Sequence, residues 1–320
     1  MKKHYRIVYA NREKYTLDDG RSAVLAGRVR YSTHSYPVTG DIVEVSGEGD
    51  NAVIENIQNR SSELRRKNPS GEGMQTMAAN VTHVLIVMAM DANFSLRRLE
   101  RFMVLARSAD VIPVVALTKA DIVDPVRAAV LEREAAEITN GAVFVTSTVT
   151  WEGVEELKSY FGHSDIICLA GLSGAGKSSL LNAMYGEEVM KTSQVRESDE
   201  KGVHTTTVRY MVQTPSGCWI MDMPGIKEVG IGADADAVSE VFDDIEELSI
   251  GCKFADCTHQ EEPGCAVKQA VEEGIITAER LKSYLKLMEE ADAEQIKLWR
   301  RQKDKRISKL AKEAAKHKKR

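Results

Sequence analysis

The sequence lacks long apolar runs, an apolar leader and an even number of cysteines. Its longest apolar stretches, such as Val84–Met90, are far too short to span a bilayer. No apolar segment follows the charged N-terminus, so we predict no secretory signal and no membrane partner. The five cysteines are an odd number and three of them cluster late in the chain, which favours a metal site in a reducing compartment over a disulfide framework. We therefore expect a cytoplasmic protein.

The chain also lacks internal repeats and a large net charge. Its 320 residues are 43% hydrophobic and 28% charged, with a net charge of -5, and this length predicts two or three globular domains. The stretch Arg300–Arg320 differs, because eleven Lys or Arg face two acids there. Two interpretations stay open for it: a solubilising helical tail, or a contact with a phosphate backbone such as that of RNA.

The N-terminal sixty residues favour β-structure, since short strand-like runs alternate there with Gly, Pro and Asp turns. This pattern suits a closed barrel of the OB type, in which Arg28, Arg30 and Tyr31 are candidates for a nucleic-acid face. The basic, glycine-containing stretch Arg60–Gln75 then predicts a flexible linker. The predicted strands are His4–Ala10, Lys14–Asp18, Ala23–Tyr31, Asp41–Ser46 and Ala52–Ile57.

Beyond the linker, strand-like and helical patterns alternate, which predicts an α/β domain with a largely parallel sheet. A hairpin is predicted at Thr207–Thr214 and Cys218–Met221, and helices at Asp236–Leu248 and from Thr277 onward. We predict a barrel at 1–65, a linker at 66–80, the α/β domain at 81–232, and a helical domain with a basic tail at 233–320. Within the α/β domain the predicted strands are Val81–Met90, Val111–Thr118, Ala142–Thr146 and Asp165–Ala170, and the helices Leu96–Ser108, Pro125–Thr139 and Val154–Phe161.

A complete P-loop pattern, G-x₄-G-K-S, lies between the strand Ile166–Ala170 and the helix Ser178–Tyr185. Glycines let backbone N–H groups curl around phosphates at a helix N-terminus. We expect Lys177 to reach the β- and γ-phosphates as a catalytic group, and Ser178 to hold Mg²⁺. The predicted phosphate-binding residues are Gly171, Leu172, Ser173, Gly174, Ala175, Gly176, Lys177, Ser178 and Ser179.

The base is indicated by a second motif, Thr118-Lys119-Ala120-Asp121, which ends a predicted strand. The Asp121 carboxylate can accept both the N1–H and the exocyclic amine of guanine, whereas adenine offers no such pair of donors. Thr118 replaces the commoner Asn, so we expect a looser link to the P-loop. Ser147, after the next strand, is predicted as the second contact to the base.

Two further motifs concern the γ-phosphate. Asp222 is predicted to support Mg²⁺, and the N–H of Gly225 to meet the phosphate, as in the Asp-x-x-Gly element. In the stretch before them, Thr206 is our candidate for closing a switch loop on Mg²⁺. Ile226 cannot orient water as the Gln of many small GTPases does. Either hydrolysis by the protein alone is slow, or another group supplies this function, for which His204 is the candidate, with packing in the loop as the alternative role of that residue.

The order of these motifs is rotated. GTPases usually run from the P-loop through the switch and Asp-x-x-Gly motifs to the base motifs, whereas here the base motifs come first. The sequence therefore predicts a circularly permuted GTPase domain whose second switch leads directly into the C-terminal domain.

A cluster of three cysteines and one histidine follows that domain. Cys252, Cys257, His259 and Cys265 form a complete Cys₃His set, which predicts one structural Zn²⁺. Cys168 and Cys218 lie in strand-like runs and are interpreted as core residues.

The chain resembles the family of bacterial ribosome small-subunit-dependent GTPases, the GTPase A family of ribosome-assembly factors. The shared features span nearly all 320 residues, with Val203 and Ala175 as departures where Arg and Val are usual. The resemblance implies GTP or GDP with Mg²⁺, one Zn²⁺, binding to the small ribosomal subunit and its rRNA, hydrolysis stimulated by the subunit, and a role in its late maturation. We also expect a monomer. The resemblance rests on the permuted order and on Pro37–Glu44, Gln75–Asn80, Gly202–Thr207 and Cys252–Val267.

Two alternatives stay open from the residues themselves. One is a P-loop ATPase or kinase with an RNA-binding barrel, which the guanine motif opposes. The other is a non-enzymatic RNA-binding scaffold stabilised by nucleotide, which Lys177 and Asp222 oppose.

Overall fold

A computed structural model describes residues 3–11, 14–27, 29, 36–47, 52–67, 74–186, 211–222 and 234–291. The strands are β1 Lys3–Ala10, β2 Tyr15–Leu17, β3 Ser22–Leu25, β4 Ile42–Ser46, β5 Ala52–Ile57, β6 Glu63–Lys67, β7 Met74–Ala79, β8 His83–Ala89, β9 Ile112–Thr118, β10 Val143–Val145, β11 Ile166–Ala170, β12 Met211–Gln213 and β13 Trp219–Asp222. The helices are α1 Leu96–Ser108, α2 Pro125–Thr139, α3 Val154–Tyr160, α4 Lys177–Tyr185, α5 Ala235–Val241, α6 Asp243–Ser249, α7 Ala266–Glu272 and α8 Ala278–Glu290, with a 3₁₀ turn at Ala120–Ile122. In these ranges no helix is both long and apolar enough to cross a membrane.

The N-terminal strands close into a barrel in the order β1-β2-β3-β5-β4, which confirms the predicted barrel. The pair β3–β5 is parallel and the other pairs are antiparallel. Alternate side chains point inward, so that Ile7, Leu17, Val43 and Ile54 are completely buried. The predicted strand Ala23–Tyr31 is shorter than expected, since β3 ends at Leu25.

The second sheet has six strands in the order β10-β9-β8-β11-β13-β12. All of its pairs are parallel except β12–β13, as the largely parallel prediction requires. Side chains of the central strand β8 alternate between two cores: Ile86 joins the core under α1, and Val87 joins the core under α3 and α4. Because helices cover both faces, β11 is apolar along its whole length and β8 is apolar after its first residue, His83.

The stretch Arg60–Gln75 contains structure, so the prediction of a flexible linker is wrong for its described part. Strands β6 and β7 form an antiparallel pair with Leu64 opposite Ala78. Leu64 and Met77 are buried and join the core under α1. The apolar face of this pair is narrow and its other face is charged, which is why the sequence resembles a linker.

The barrel is fixed to this pair by the loop before β4. The buried carboxylate of Asp41 accepts two hydrogen bonds from Arg60, both at 2.8 Å, and one from the Val38 N–H at 2.7 Å. Gly40 has φ +96°, and a Cβ there would collide with the carbonyl of Ala79. Charge-assisted bidentate pairs of this kind are among the strongest in proteins. The loop therefore holds the barrel against the segment that leads into β8.

The C-terminal helices pack against α1. The predicted helix Asp236–Leu248 is two helices, α5 and α6, which are separated at the completely buried Phe242. Helix α7 was not predicted. Arg101 on α1 donates two hydrogen bonds to Glu290 on α8, at 3.0 and 2.6 Å, so α1 belongs to both the sheet domain and the helical domain.

Candidate nucleotide site and metal centre

The P-loop connects β11 to α4 and is built around three glycines with positive φ. These are Gly171, Gly174 and Gly176, with φ of +142°, +74° and +90°. A Cβ at Gly171 would collide with the Val87 carbonyl of β8, and one at Gly176 would lie 3.5 Å from the Thr118 hydroxyl. The loop is therefore packed closely on the neighbouring strands, and only glycine fits at its first position.

Lys177 places its charge inside this loop. Its side chain is 8% exposed, and the ammonium donates hydrogen bonds to the carbonyls of Gly171 at 2.9 Å and Leu172 at 2.6 Å. Ser178 and Ser179 follow, half-buried, in the first turn of α4. The unpaired N–H groups of a helix N-terminus and a buried ammonium together favour an anion.

Thr118 joins the base motif directly to the P-loop. Its hydroxyl donates to the Ala175 carbonyl at 2.7 Å, and it is 4% exposed. We expected Thr in place of Asn to loosen the link to the P-loop. Instead, the Thr118 side chain, although shorter, lies close enough to the P-loop to form this hydrogen bond. The two motifs thus meet at the carboxyl edge of the parallel sheet, where ligands of such sheets bind.

Ser147 orients the carboxylate expected to read the base. The buried Ser147 hydroxyl donates to Asp121 at 2.5 Å and accepts the N–H groups of Val149 at 3.1 Å and Thr150 at 3.2 Å. The Asp121 side chain is exposed, so it can meet a ligand while Ser147 holds one of its oxygens. Two donors of guanine can share the remaining lone pairs of such a carboxylate.

Asp91 is a residue of this site that the sequence did not reveal. It follows β8 at the same edge of the sheet, and its carboxylate accepts from Lys119 at 2.8 Å and from the Asn93 N–H at 2.8 Å. The hydrogen bond from Lys119 holds the pKa of Asp91 below its usual value. Lys119 itself has φ +65°, a backbone state that only a few non-glycine residues adopt. Asp91 therefore fixes the direction of the Lys119 side chain beside Asp121.

Of the residues predicted to contact Mg²⁺ or the γ-phosphate beyond the P-loop, the structure describes one. Asp222 ends β13, where its backbone lies opposite Leu169. His204, Thr206 and Gly225 lie outside the described residues.

The four predicted zinc ligands are brought together. Their ligand atoms all lie within 4.8 Å of one another. The Sγ atoms of Cys252 and Cys265 are 3.9 Å apart, and His259 Nδ1 is 3.6 Å from the first and 3.4 Å from the second. A tetrahedral zinc site with ordinary bond lengths has edges of about 3.8 Å between sulfurs and about 3.6 Å between nitrogen and sulfur. The donor set therefore fits Zn²⁺ in type, number and spacing.

The surroundings support the same set. Burial raises the pKa of the Cys257 thiol to about 12, and a bound dication reverses such a shift because it stabilises the thiolate. Cys265 caps α7, with its sulfur accepting the Lys268 N–H at 3.4 Å. His259 has φ +61° and is 4% exposed, so its backbone is held in an unfavourable state that aims the imidazole at the sulfurs.

Comparisons with known proteins agree with this geometry. The RsgA GTPase family matches residues 57–232, and the 50S ribosome-binding GTPase family matches residues 166–312. The chain is 38% identical over 293 residues to "Small ribosomal subunit biogenesis GTPase RsgA 2" of Lactiplantibacillus plantarum, a match that covers 89% of this chain and 82% of that protein. It is 40% identical over 259 residues to the protein named "Small ribosomal subunit biogenesis GTPase RsgA" in Methanosarcina acetivorans, with 79% and 69% covered.

Two solved structures are similar over most of their length. YjeQ from Thermotoga maritima has a TM-score of 0.66 and 29% identity, with 90% of this chain and 97% of that chain covered. YloQ, described as a circularly permuted GTPase, has a TM-score of 0.63 and 26% identity, with 91% and 95% covered.

Proposed function

The chain belongs to the RsgA GTPase family, and from that premise we propose that it binds the small ribosomal subunit, acts late in its maturation and hydrolyses GTP faster when bound. It is a GTP hydrolase. The observation that carries the site assignment is the hydrogen bond from Thr118 to the Ala175 carbonyl, because it joins the base motif to the P-loop.

The described residues divide into two groups by role. Asp121, oriented by Ser147, reads guanine, and Lys177 neutralises the β- and γ-phosphates. When bound, Mg²⁺ neutralises charge that develops on the phosphates. Ser178 would hold that ion together with Asp222 and Thr206, and the N–H of Gly225 would meet the γ-phosphate.

Hydrolysis needs a group that orients water. The side chain of Ile226 has no polar atom for this, so we assign the role to His204 and expect it to act on the γ-phosphate when the subunit is bound. The barrel, the zinc centre and the basic segment Arg300–Arg320 are the proposed contacts to rRNA. Cys252, Cys257, His259 and Cys265 hold one Zn²⁺, and the protein is a cytoplasmic monomer. The domain limits 1–65, 66–80, 81–232 and 233–320 are part of this proposal, although β6 crosses the first boundary and pairs with β7, which lies within 66–80.

The deciding experiment measures phosphate release from GTP by the purified protein, with and without purified small subunits. We expect slow intrinsic turnover and stimulation of about a hundredfold or more, which corresponds to several kcal/mol of barrier. An equal rate with and without subunits contradicts the proposal. Competition of ATP and GTP for labelled GDP excludes the ATPase or kinase alternative if ATP fails to displace GDP, and absence of any phosphate release favours the scaffold alternative.

A further inference from the structure

A cleft lies between the P-loop and the first turns of helix α1. One wall is the crest of the P-loop, Ser173 and Gly174, and the other is the first turns of α1 with Arg98 and Phe102. The floor is the carboxyl end of β8. Neither the base motif nor the zinc centre contributes to this cleft, and none of the predicted functions uses its α1 wall.

Arg98 is the charged group of this cleft. It is half-buried, and its one recorded hydrogen bond is donated to the backbone carbonyl of Asn93 at 2.5 Å. Among the described residues no carboxylate lies within ion-pair distance of it. Arg101, one turn along the same helix, is paired with Glu290 through two hydrogen bonds. Most of the five N–H donors of the Arg98 guanidinium are therefore available to an anion.

The chemistry of this position favours a phosphate oxygen. A guanidinium matches phosphate in geometry and can bind two of its oxygens at once, whereas the neutral Asn93 carbonyl takes one hydrogen bond from Arg98. The P-loop backbone cradles the phosphates from one side of its crest. Arg98 lines the same cleft as Ser173 and Gly174 of the P-loop, and the hydrogen bond to the Asn93 carbonyl is the one recorded bond that a movement toward the loop would break.

We propose that Arg98 contacts the γ-phosphate of bound GTP, so that the chain supplies from its own helix the arginine that stabilises phosphoryl transfer. The inference rests on the proposed GTPase function and adds a residue to its site. Because GDP lacks the γ-phosphate, Arg98 distinguishes GTP from GDP and contributes little to binding of the diphosphate.

Arg98→Ala tests this, with Arg97→Ala as the matched control, since Arg97 is an exposed neighbour of equal charge on the same helix. We expect Arg98→Ala to weaken binding of a non-hydrolysable GTP analogue about tenfold, which is about 1.4 kcal/mol, while the Kd for GDP stays within about twofold of wild type. Single-turnover hydrolysis of GTP should fall by at least about tenfold, and by up to about a thousandfold if Arg98 acts as fully as an arginine finger does. Arg98→Lys keeps the charge without the planar guanidinium, so its affinity for the GTP analogue and its hydrolysis rate should lie between those of Arg98→Ala and wild type.

The outcomes separate this inference from the function beneath it. If wild type binds GTP and hydrolyses it but Arg98→Ala matches Arg97→Ala in both affinities and in rate, the inference is overturned. Equal loss of affinity for GDP and for the GTP analogue also overturns it, since that result indicates a role in shaping the cleft. Failure of the wild-type protein itself to prefer guanine nucleotides or to release phosphate refutes the proposed function, and with it this addition. Thermal unfolding of all three variants checks that they are folded.

Discussion

At the scale of single residues, base recognition depends on one exposed carboxylate held by one buried hydroxyl. Asp121→Asn should reverse part of the hydrogen-bonding pattern, because an amide donates where the carboxylate accepts. We expect GDP affinity to fall by roughly 2–4 kcal/mol and preference to move toward xanthine nucleotides. Displacement of labelled GDP by GDP, by xanthosine diphosphate and by ADP measures this.

The control for that variant is Asp124→Asn. Asp124 is exposed and caps α2 through the N–H groups of Val126 and Arg127, a role that Asn also fills. It should leave base preference unchanged. Equal displacement by ADP and GDP in the wild type would contradict the assignment of Asp121.

Thr118 gives a second prediction at this scale. Thr118→Val keeps the shape of the side chain but removes the hydrogen bond to the Ala175 carbonyl, and a buried carbonyl left without its donor costs about 1–3 kcal/mol. We expect affinities for GDP and GTP to fall together, with guanine preference intact. Titration calorimetry with both nucleotides checks this, and Thr118→Asn, the commoner residue of the motif, should retain most of the affinity. Unchanged affinity in Thr118→Val would mean that the bond does not support the site.

At the scale of elements, the segment that carries the zinc ligands depends on the metal for its own stability. Few apolar residues lie between Gly251 and Cys265, so we expect one tightly held Zn²⁺ per chain to stabilise this segment. Cys257→Ser should abolish zinc, unfold the segment and weaken binding to the subunit, while nucleotide affinity changes little. Elemental analysis and GDP titration of the same preparation measure both.

The matched control is Cys218→Ser. That sulfur is buried beside the Thr214 hydroxyl at 3.0 Å, so a serine finds a partner there and zinc should be retained. Zinc-free wild-type protein, or zinc unaffected by Cys257→Ser, would count against the site.

Helices α1 and α8 are joined by an ion pair between Glu100 and Arg280, in which the carboxylate is the more deeply buried partner. Glu100 is 2% exposed and accepts from Arg280 at 3.0 Å, but its second oxygen has no hydrogen-bond partner. Burial raises the pKa of Glu100, and Ser283 and Arg280 offset this only in part. Burial lowers the pKa of Arg280, but Asp244 and Glu100 more than reverse this. Arg280 is thus bound by two carboxylates, whereas Glu100 shares one guanidinium.

A pH dependence follows from the raised pKa. The folded protein binds the Glu100 proton more tightly than the unfolded chain, so this stabilisation is complete below the usual pKa of 4.5 and is lost as pH rises through the higher folded value. Glu100→Gln keeps an oxygen for Arg280 and should flatten the pH dependence of the unfolding free energy just above pH 4.5, with stability at neutral pH equal or higher. Denaturant unfolding across that range measures it. Glu290→Gln, in the more exposed pair with Arg101, serves as the control, and parallel curves for both variants and wild type would refute the argument.

The elements differ in how far the sequence predicts them. Helices α1 and α2 coincide with their predicted limits, since α1 has a clear apolar stripe and α2 begins with Pro125 directly after Asp124, whose carboxylate caps it. The pair β6–β7 is hard to predict from the sequence, because Leu64 is the one apolar residue of β6 and the rest of that strand is charged. The motifs pointed to a loop that the structure has between β11 and α4 and to four side chains that it brings together, but Asp91 and Arg98 belong to no motif. Their positions depend on how β8 and α1 are packed in three dimensions.

At the scale of the whole molecule, helix α1 links the nucleotide site to the C-terminal domain. Its first turns line the cleft beside the P-loop, and its middle contacts α8 through Glu100 and Arg101. In the proposed function the small subunit contacts the barrel and the helical domain. Helix α1 would then couple subunit binding to the nucleotide site.

His204→Ala tests where that stimulation acts. The variant should bind GTP and small subunits as wild type does, yet lose most of the stimulated hydrolysis. Rates with saturating subunits and co-sedimentation measure the two properties. His163→Ala is the control, since His163 precedes β11 at the opposite edge of the sheet and contacts the Ser216 carbonyl. A wild-type stimulated rate in His204→Ala would assign His204 to packing.

The order of the strands in the second sheet differs from the order in which they are synthesised. β8, β9 and β10 leave the ribosome before β11, although β11 lies between β8 and β13 in the finished sheet. Until β11 emerges, the edge of β8 that faces away from β9 stays unpaired, and the strand is apolar after His83, so this edge is of the kind that recruits other strands. Nucleotide cannot rescue that intermediate, because the loop that would hold its phosphates has not yet been translated. The base-reading half of the site must therefore wait for its phosphate-binding half during synthesis, which makes this interval the one in which the chain most depends on fast elongation or on a chaperone.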